Sequence, residues 1–183
     1  MADSLWQDKT LIWRFNRGDP QALRGIYARY RVDLVTLATS LLFDKSQAED
    51  VVHEVFARLA QNGTAIRITS NLRGYLLRAV ANTARNANRS RRGKDVSQAD
   101  ANGDGLRVNP PPDGRIADAE LCERLPAALE QLPYEQREAV LLRHYGGMRF
   151  KAIAACQSVS VSTVQARYRY GLDKLRSLLG GDP

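Results

Sequence analysis

Outside one central stretch, apolar residues recur three and four positions apart and no alternation of period two persists. That spacing stacks apolar side chains on one helical face, so the chain is expected to be all-α, with no sheet. A first helix is predicted from Asp8 to Arg17, stopping at Gly18. The second opens with Pro20 in its first turn, where a missing N–H is harmless, and carries Leu23, Ile26, Tyr27, Tyr30, Leu34, Leu37, Ala38 and Leu41 as one buried stripe. A third begins after Ser46, read as its N-cap, and buries Val51, Val52, Val55, Phe56 and Leu59 before Asn62 and Gly63 end it. A fourth, Asn71 to Arg91, turns Leu72, Tyr75, Leu76, Ala79, Val80 and Thr83 inward. Trp6 and Trp13 fall near one side of a continuous helix and are assigned to the core.

The pattern lapses from Gly93 to Ala117, where Gly, Asp, Asn and three consecutive prolines gather without an apolar period. This composition reads as a linker and divides the chain into two small helical domains, residues 1–92 and 118–183. The second domain is predicted to contain helices from Asp118 to Gln131 and from Tyr134 to Tyr145, the latter ended by Gly146 and Gly147. Two more follow across a very short turn, Arg149 to Cys156 and Val161 to Leu179 with Ser160 as N-cap, making a helix-turn-helix candidate. Ile153, Val159, Val161, Val164, Tyr168, Leu172 and Leu175 are expected to pack that pair together.

Charge sharpens this picture. The net charge of +7 over 183 residues favours a polyanionic partner, and residues 1–92 carry the excess, with 15 basic against 8 acidic residues. Within that part Asp44, Glu49, Asp50 and Glu54 crowd together; no further acid appears before Asp95, while Arg58, Arg67, Arg73, Arg78, Arg85, Arg89, Arg91, Arg92 and Lys94 do. No run approaches the roughly 18 apolar residues of a membrane span, and the N-terminus bears acids where a secretory signal carries basic charge, so a cytoplasmic location is expected. Cys122 and Cys156 make neither a zinc spacing nor a disulfide framework. Asp100, Asn102, Asp104 and Gly105 open like a calcium loop, but Pro111 stands where a bidentate Glu is needed. With two histidines, no phosphate-cradling glycine motif and no nucleophile elbow, no catalytic residue, metal or cofactor is expected.

Three surfaces carry candidate chemistry. On the last helix Ser162, Thr163, Gln165, Ala166, Arg167 and Arg169 are available to the major groove of duplex DNA: small and hydroxyl residues permit close approach, while Gln and Arg read base edges or neutralise phosphate. On the fourth helix arginines alternate with Asn82, Asn86 and Asn88, a composition suited to a single strand; the alternative is a solvated basic helix. The third presents Glu49, Asp50, His53 and Glu54, either as a docking face for a basic protein or as the wet side of a core helix.

Taken together, AEDVVHEVFARL at Ala48 to Leu59, LRGYLLRAVANTARNANRSRR at Leu72 to Arg92, LPYEQREAVLLRHYGG at Leu132 to Gly147 and the terminal helix-turn-helix resemble bacterial RNA polymerase sigma factors of the extracytoplasmic-function (ECF) class. The resemblance implies a region 2 bundle at 1–92 and a region 4 helix-turn-helix at 118–183, with no enzymatic activity. It implies that Glu49, Asp50, His53 and Glu54 dock on the β′ clamp helices of core polymerase, and that the second domain packs on the β flap. The loop from Gly63 to Asn71 and the fourth helix, with Arg78, Asn82 and Arg85 as candidates, would capture the minus-ten element as single strand. Ser162, Thr163, Gln165, Ala166, Arg167 and Arg169 would read the minus-thirty-five element as duplex. An anti-sigma factor is a further implied partner. Gln157 and Ser158 depart from the apolar residue and Gly usual in the turn, and Gln157 is expected to face solvent. Two other readings stand beside this one: a stand-alone helix-turn-helix regulator, and a helical interaction module that binds no DNA.

Overall fold

A computed structural model describes residues 2–62, 66–69, 71–94 and 119–180, and among them it contains eight α-helices and no strand. The predicted linker, 93–117, and the calcium-like run within it lie almost wholly outside the described residues.

The first unit comprises α1 (Ala2–Phe15), α2 (Pro20–Leu42), α3 (Lys45–Gln61) and α4 (Leu72–Lys94). Asp19 caps α2 by accepting from the Gln21 amide, and Pro20 follows in the first turn as predicted. The cap of α3 is Asp44 rather than Ser46: its carboxylate accepts from the Gln47 N–H at 3.0 Å. A carboxylate two residues earlier outcompetes the hydroxyl, because it also meets the positive end of the helix dipole. Asn71, at φ 46°, starts α4 in the same way, its Oδ1 accepting from the Gly74 N–H. α2 lies at the centre and packs on α1, α3 and α4 through Ile26, Leu34, Leu37 and Leu41, none more than 1% exposed. Trp6 and Trp13 do not join them, being 68% and 56% exposed; α1 turns Phe15, Leu11 and Ile12 to the core instead.

The second unit comprises α5 (Ala119–Glu130), α6 (Tyr134–His144), α7 (Phe150–Gln157) and α8 (Val161–Leu179). Pro126 stands inside α5, where its ring removes one intrahelical bond. Ser160 caps α8 as predicted, accepting from the Thr163 N–H at 3.1 Å. In the turn before it, Ser158 takes the left-handed conformation, φ 56°, in place of the usual glycine. Val164 and Ile153 are fully buried between α7 and α8, but Val161 is 40% exposed in the first turn of α8. α8 crosses close to α6 at Gly171, where an added Cβ would stand 2.9 Å from Val140 Cγ2.

The two units pack against each other. α2 meets α5 and α6, α4 meets α7, and one apolar cluster runs through both, joining Leu34, Leu76 and Val80 to Tyr134, Leu142 and Ile153. Charged side chains frame this contact. Arg137 donates to the Leu41 carbonyl at 2.8 Å and lies over the Phe43 ring. Arg73 pairs with Asp33 and reaches the carbonyls of Tyr145 and Gly146 at 3.0 and 3.1 Å.

Candidate nucleic-acid interface

The third helix keeps Val51, Val52, Val55 and Phe56 inward and so delivers Asp50, His53 and Glu54 to its outer face, with Glu49 half-buried beside them. Glu54 pairs with Arg58 one turn on, and Glu49 lies 3.7 Å from Arg31. The His53 ring stacks near Tyr27, with Nε2 3.4 Å from the hydroxyl. The four sequence candidates therefore share one exposed acidic surface.

Between α3 and α4 a cleft of about 440 Å³ is lined by Arg58, Asn62, Ile66, Tyr75, Arg78 and Asn82 among others. Two of the three candidates on α4, Arg78 and Asn82, reach it one helical turn apart. Arg58, Asn62 and Tyr75 were not singled out by sequence. Tyr75 sits at a core-facing position of the α4 repeat, but a helix packed on one side only leaves a flanking aromatic half-exposed. The cleft thus offers a guanidinium pair, two amides and a phenol ring: groups that hold phosphate, bond to base edges and stack on a base.

Arg85 points elsewhere. Its guanidinium donates to Glu138 Oε1 at 2.5 Å, to the Cys156 carbonyl at 2.7 Å and to Asn82 Oδ1 at 3.2 Å, bridging the two units. Glu138 is fully buried, and its other oxygen accepts from Gln157 Nε2 at 2.9 Å. Gln157 is 9% exposed rather than solvent-facing: its amide donates to Glu138 and to the Glu135 carbonyl, while its Oε1 accepts from Arg167 at 2.8 Å. Burial pushes the Glu138 carboxyl above the ordinary range, against the lowering effect of Arg85. Burial also raises the Cys156 thiol, whose Sγ donates to Asn82 Oδ1 at 3.2 Å. A sequence signal for this cluster existed: Arg137 and Glu138 lie three and four residues after buried Tyr134, at positions facing the core, where charge is tolerated only when paired.

On α8, Ser162, Thr163, Gln165 and Arg169 are exposed, Ala166 is half-buried, and Arg167 leans back toward Gln157. The Ser160, Ser162 and Thr163 hydroxyls form a cluster with 2.8 Å separations at the helix start. This is a polar helix N-terminus open to an anionic ligand. Among the described residues no group of three or more His, Cys, Asp or Glu side chains is placed to hold a metal, and no helix is long and apolar enough to cross a membrane.

Comparison with known proteins gives these surfaces a common context. Residues 26–94 match the family model for sigma-70 region 2, and residues 122–175 that for sigma-70 region 4. The chain is 30% identical to the RNA polymerase sigma-H factor of Pseudomonas aeruginosa, over 92% of this chain and 93% of that one. It is 33% identical to the ECF RNA polymerase sigma factor EcfG of Rhodopseudomonas palustris, over 80% and 78%. The fold resembles that of the sigma factor RpoE crystallised with the anti-sigma factor NepR from Bartonella quintana, with a TM-score of 0.67 and 23% identity over 89% of this chain and 97% of that one. CnrH, solved with the cytosolic domain of CnrY, has the same TM-score at 24% identity, over 97% and 99%. Both halves match in order, and at nearly full length the relatives are of one kind: the chain belongs to the RNA polymerase sigma factors of the ECF class.

Proposed function

We propose that the three surfaces divide the work of a sigma factor, a protein that catalyses nothing itself and directs a core polymerase to promoters from the cytoplasm. The acidic face of α3, through Glu49, Asp50, His53 and Glu54, docks on the β′ clamp helices. The α3–α4 cleft receives an unstacked base of the opened minus-ten element, with Arg78 holding the strand and Asn82 and Asn62 bonding to the base. Unstacking costs a few kcal/mol, which these contacts must offset. α8 enters the major groove at the minus-thirty-five element, presenting Ser162, Thr163, Gln165, Ala166, Arg167 and Arg169, and the second unit packs on the β flap. Arg85 contributes to strand binding only once Glu138 releases it. An anti-sigma factor is a natural further partner, since the similar structure of RpoE is a complex with the anti-sigma factor NepR.

The observation that carries this reading is the cleft, which unites cation, amide and aromatic ring beside an exposed acidic helix. Gel filtration with bacterial core polymerase, followed by transcription from a promoter library, tests it. Co-elution and new discrete transcripts are expected. An active core polymerase that neither retains the chain nor changes its transcripts would overturn the reading.

A further inference from the structure

The outward face of α1 carries chemistry that the three surfaces above do not use. Trp6 and Trp13, the chain's two tryptophans, stand seven residues apart on the side of α1 opposite Phe15 and Leu11, 68% and 56% exposed. The helical rise sets them about 10 Å apart along the axis. Lys9 lies over the Trp6 ring at 5.0 Å and Arg17 over the Trp13 ring at 4.0 Å. Asp8 is turned away from this face, pairing with Arg29 at 3.0 Å and accepting from the Tyr30 hydroxyl at 2.6 Å. The result is a cationic and aromatic strip, and it precedes residues 26–94, the part that matches the region 2 family model. One end of the strip adjoins the α3–α4 cleft. Asn16 Nδ2 donates to the Ile68 carbonyl at 2.8 Å and its Oδ1 accepts from the Ile68 N–H at 3.2 Å, fastening segment 66–69 to the end of α1. In that segment Ile66 forms part of the cleft wall, while Arg67 and Thr69 are exposed. Trp13 stands three residues, about one helical turn, before Asn16.

We infer that this strip extends the single-strand path out of the cleft: the opened strand runs over segment 66–69 onto α1, where Trp13 and Trp6 stack bases and Arg67, Arg17 and Lys9 neutralise phosphates. The inference rests on the strand-binding role given above to the cleft. The strand continues past the minus-ten element only downstream, because upstream it rejoins duplex, so the nucleotides that reach α1 are those just downstream of that element. Ring faces suit any base, since every base has a π-face, and the contact is therefore tolerant of sequence. The cations serve twice: over the rings they hold each indole still, and they stand where the phosphate beside a stacked base needs a countercharge. An acidic protein segment would meet the same charge, but continuity with the cleft and two separate flat rings favour a nucleic-acid strand.

The test uses the full-length chain assembled with bacterial core polymerase and a promoter obtained from the library selection. Two forked templates share the same duplex and differ in their non-template overhang: one stops at the end of the minus-ten element, the other runs a few nucleotides further downstream. The parent is expected to bind the longer template at least about fivefold more tightly, the low end of what a stacked aromatic contributes. Trp6→Ala with Trp13→Ala should abolish that gain and leave affinity for the shorter template within about twofold, while Trp13→Tyr, which keeps a ring, should retain most of it. Because both rings are mostly exposed, the double variant is expected to fold, and circular dichroism checks this. A double variant that keeps the gain overturns the inference. So does one that no longer co-elutes with core polymerase, which would make the strip a protein-docking face. A parent that binds the shorter template and gains nothing from the longer one overturns the inference alone; a parent that binds neither overturns the promoter-reading role with it.

Discussion

Replacing Arg85 by Ala tests whether the contact between the two units is held by charge or by the apolar surface around it. The Arg85 side chain is 15% exposed and that of Glu138 is 0% exposed, so the substitution strands a carboxylate with Gln157 as its remaining side-chain donor, and leaves the Cys156 carbonyl without the guanidinium. Breaking a buried pair in this way costs about 3–5 kcal/mol if the structure stays shut. The chain has an escape, since parting the units lets water reach Glu138. The penalty therefore falls on closure rather than on folding, and shifts the closed-to-open ratio by roughly two to four powers of ten. Small-angle scattering of the full chain reads this directly. A compact chain of this length has a radius of gyration of about 16 Å by size scaling, and the variant is expected to exceed its parent by several Å. Helical circular dichroism should be unchanged. Arg85→Met with Glu138→Leu should close the chain again, because an apolar pair of similar volume is neutral or stabilising where a salt bridge was buried. A variant with the parental radius and stability would show that the pair contributes nothing; loss of helix content would show that it supports the fold of one unit instead of the contact.

Other outcomes follow from single sites. Leu76→Ala, at a fully buried position of α4, should cost about 2–5 kcal/mol in urea unfolding, whereas Trp13→Ala should cost far less because the ring is mostly exposed. Ser160→Ala removes the N-cap of α8 and should destabilise by about 1 kcal/mol, lowering the melting temperature by a few degrees. Tyr30 and Tyr145 are each pushed up to about 12, foremost by burial, so absorbance at 295 nm should show both still protonated at a pH of about 11. Because the folded value lies above the unfolded one, stability is intact below about 10 and falls as pH rises from there towards 12, where a flat profile would contradict the burial of the two phenols. Glu54→Arg should abolish co-elution with core polymerase while sparing duplex binding, and Arg78→Ala should impair promoter opening with polymerase binding intact; equal loss of both activities in either variant would count against the division of surfaces.

The helices, their order, and the inward faces of α2, α3 and α4 were legible in the sequence because period, caps and breakers act within a few residues of one another. Pro20, Ser160 and the Gly146–Gly147 pair each mark an end by local chemistry alone. The outward Asp50, His53 and Glu54, and the exposed Ser162 and Thr163 on α8, were equally legible, since an amphipathic helix with a buried stripe must present the remainder. What local rules could not decide was the partner of each buried face. Trp6 and Trp13 satisfy a helical spacing, yet α1 buries Phe15 and packs the half-buried Leu11 and Ile12 against the core, and the sequence holds no record of which side of α1 meets α2. Arg85 looks like any other arginine of a basic helix; only docking α6 and α7 against α4 places buried Glu138 at 2.5 Å and turns a candidate DNA contact into a bridge between units. Gln157 likewise reads as a solvated turn residue until Glu138 and Arg167 close around it. Secondary structure follows from forces along the chain, but the energy of a charged side chain depends on what excludes water from it, and for Arg85 that is decided by residues 53 and 71 positions away.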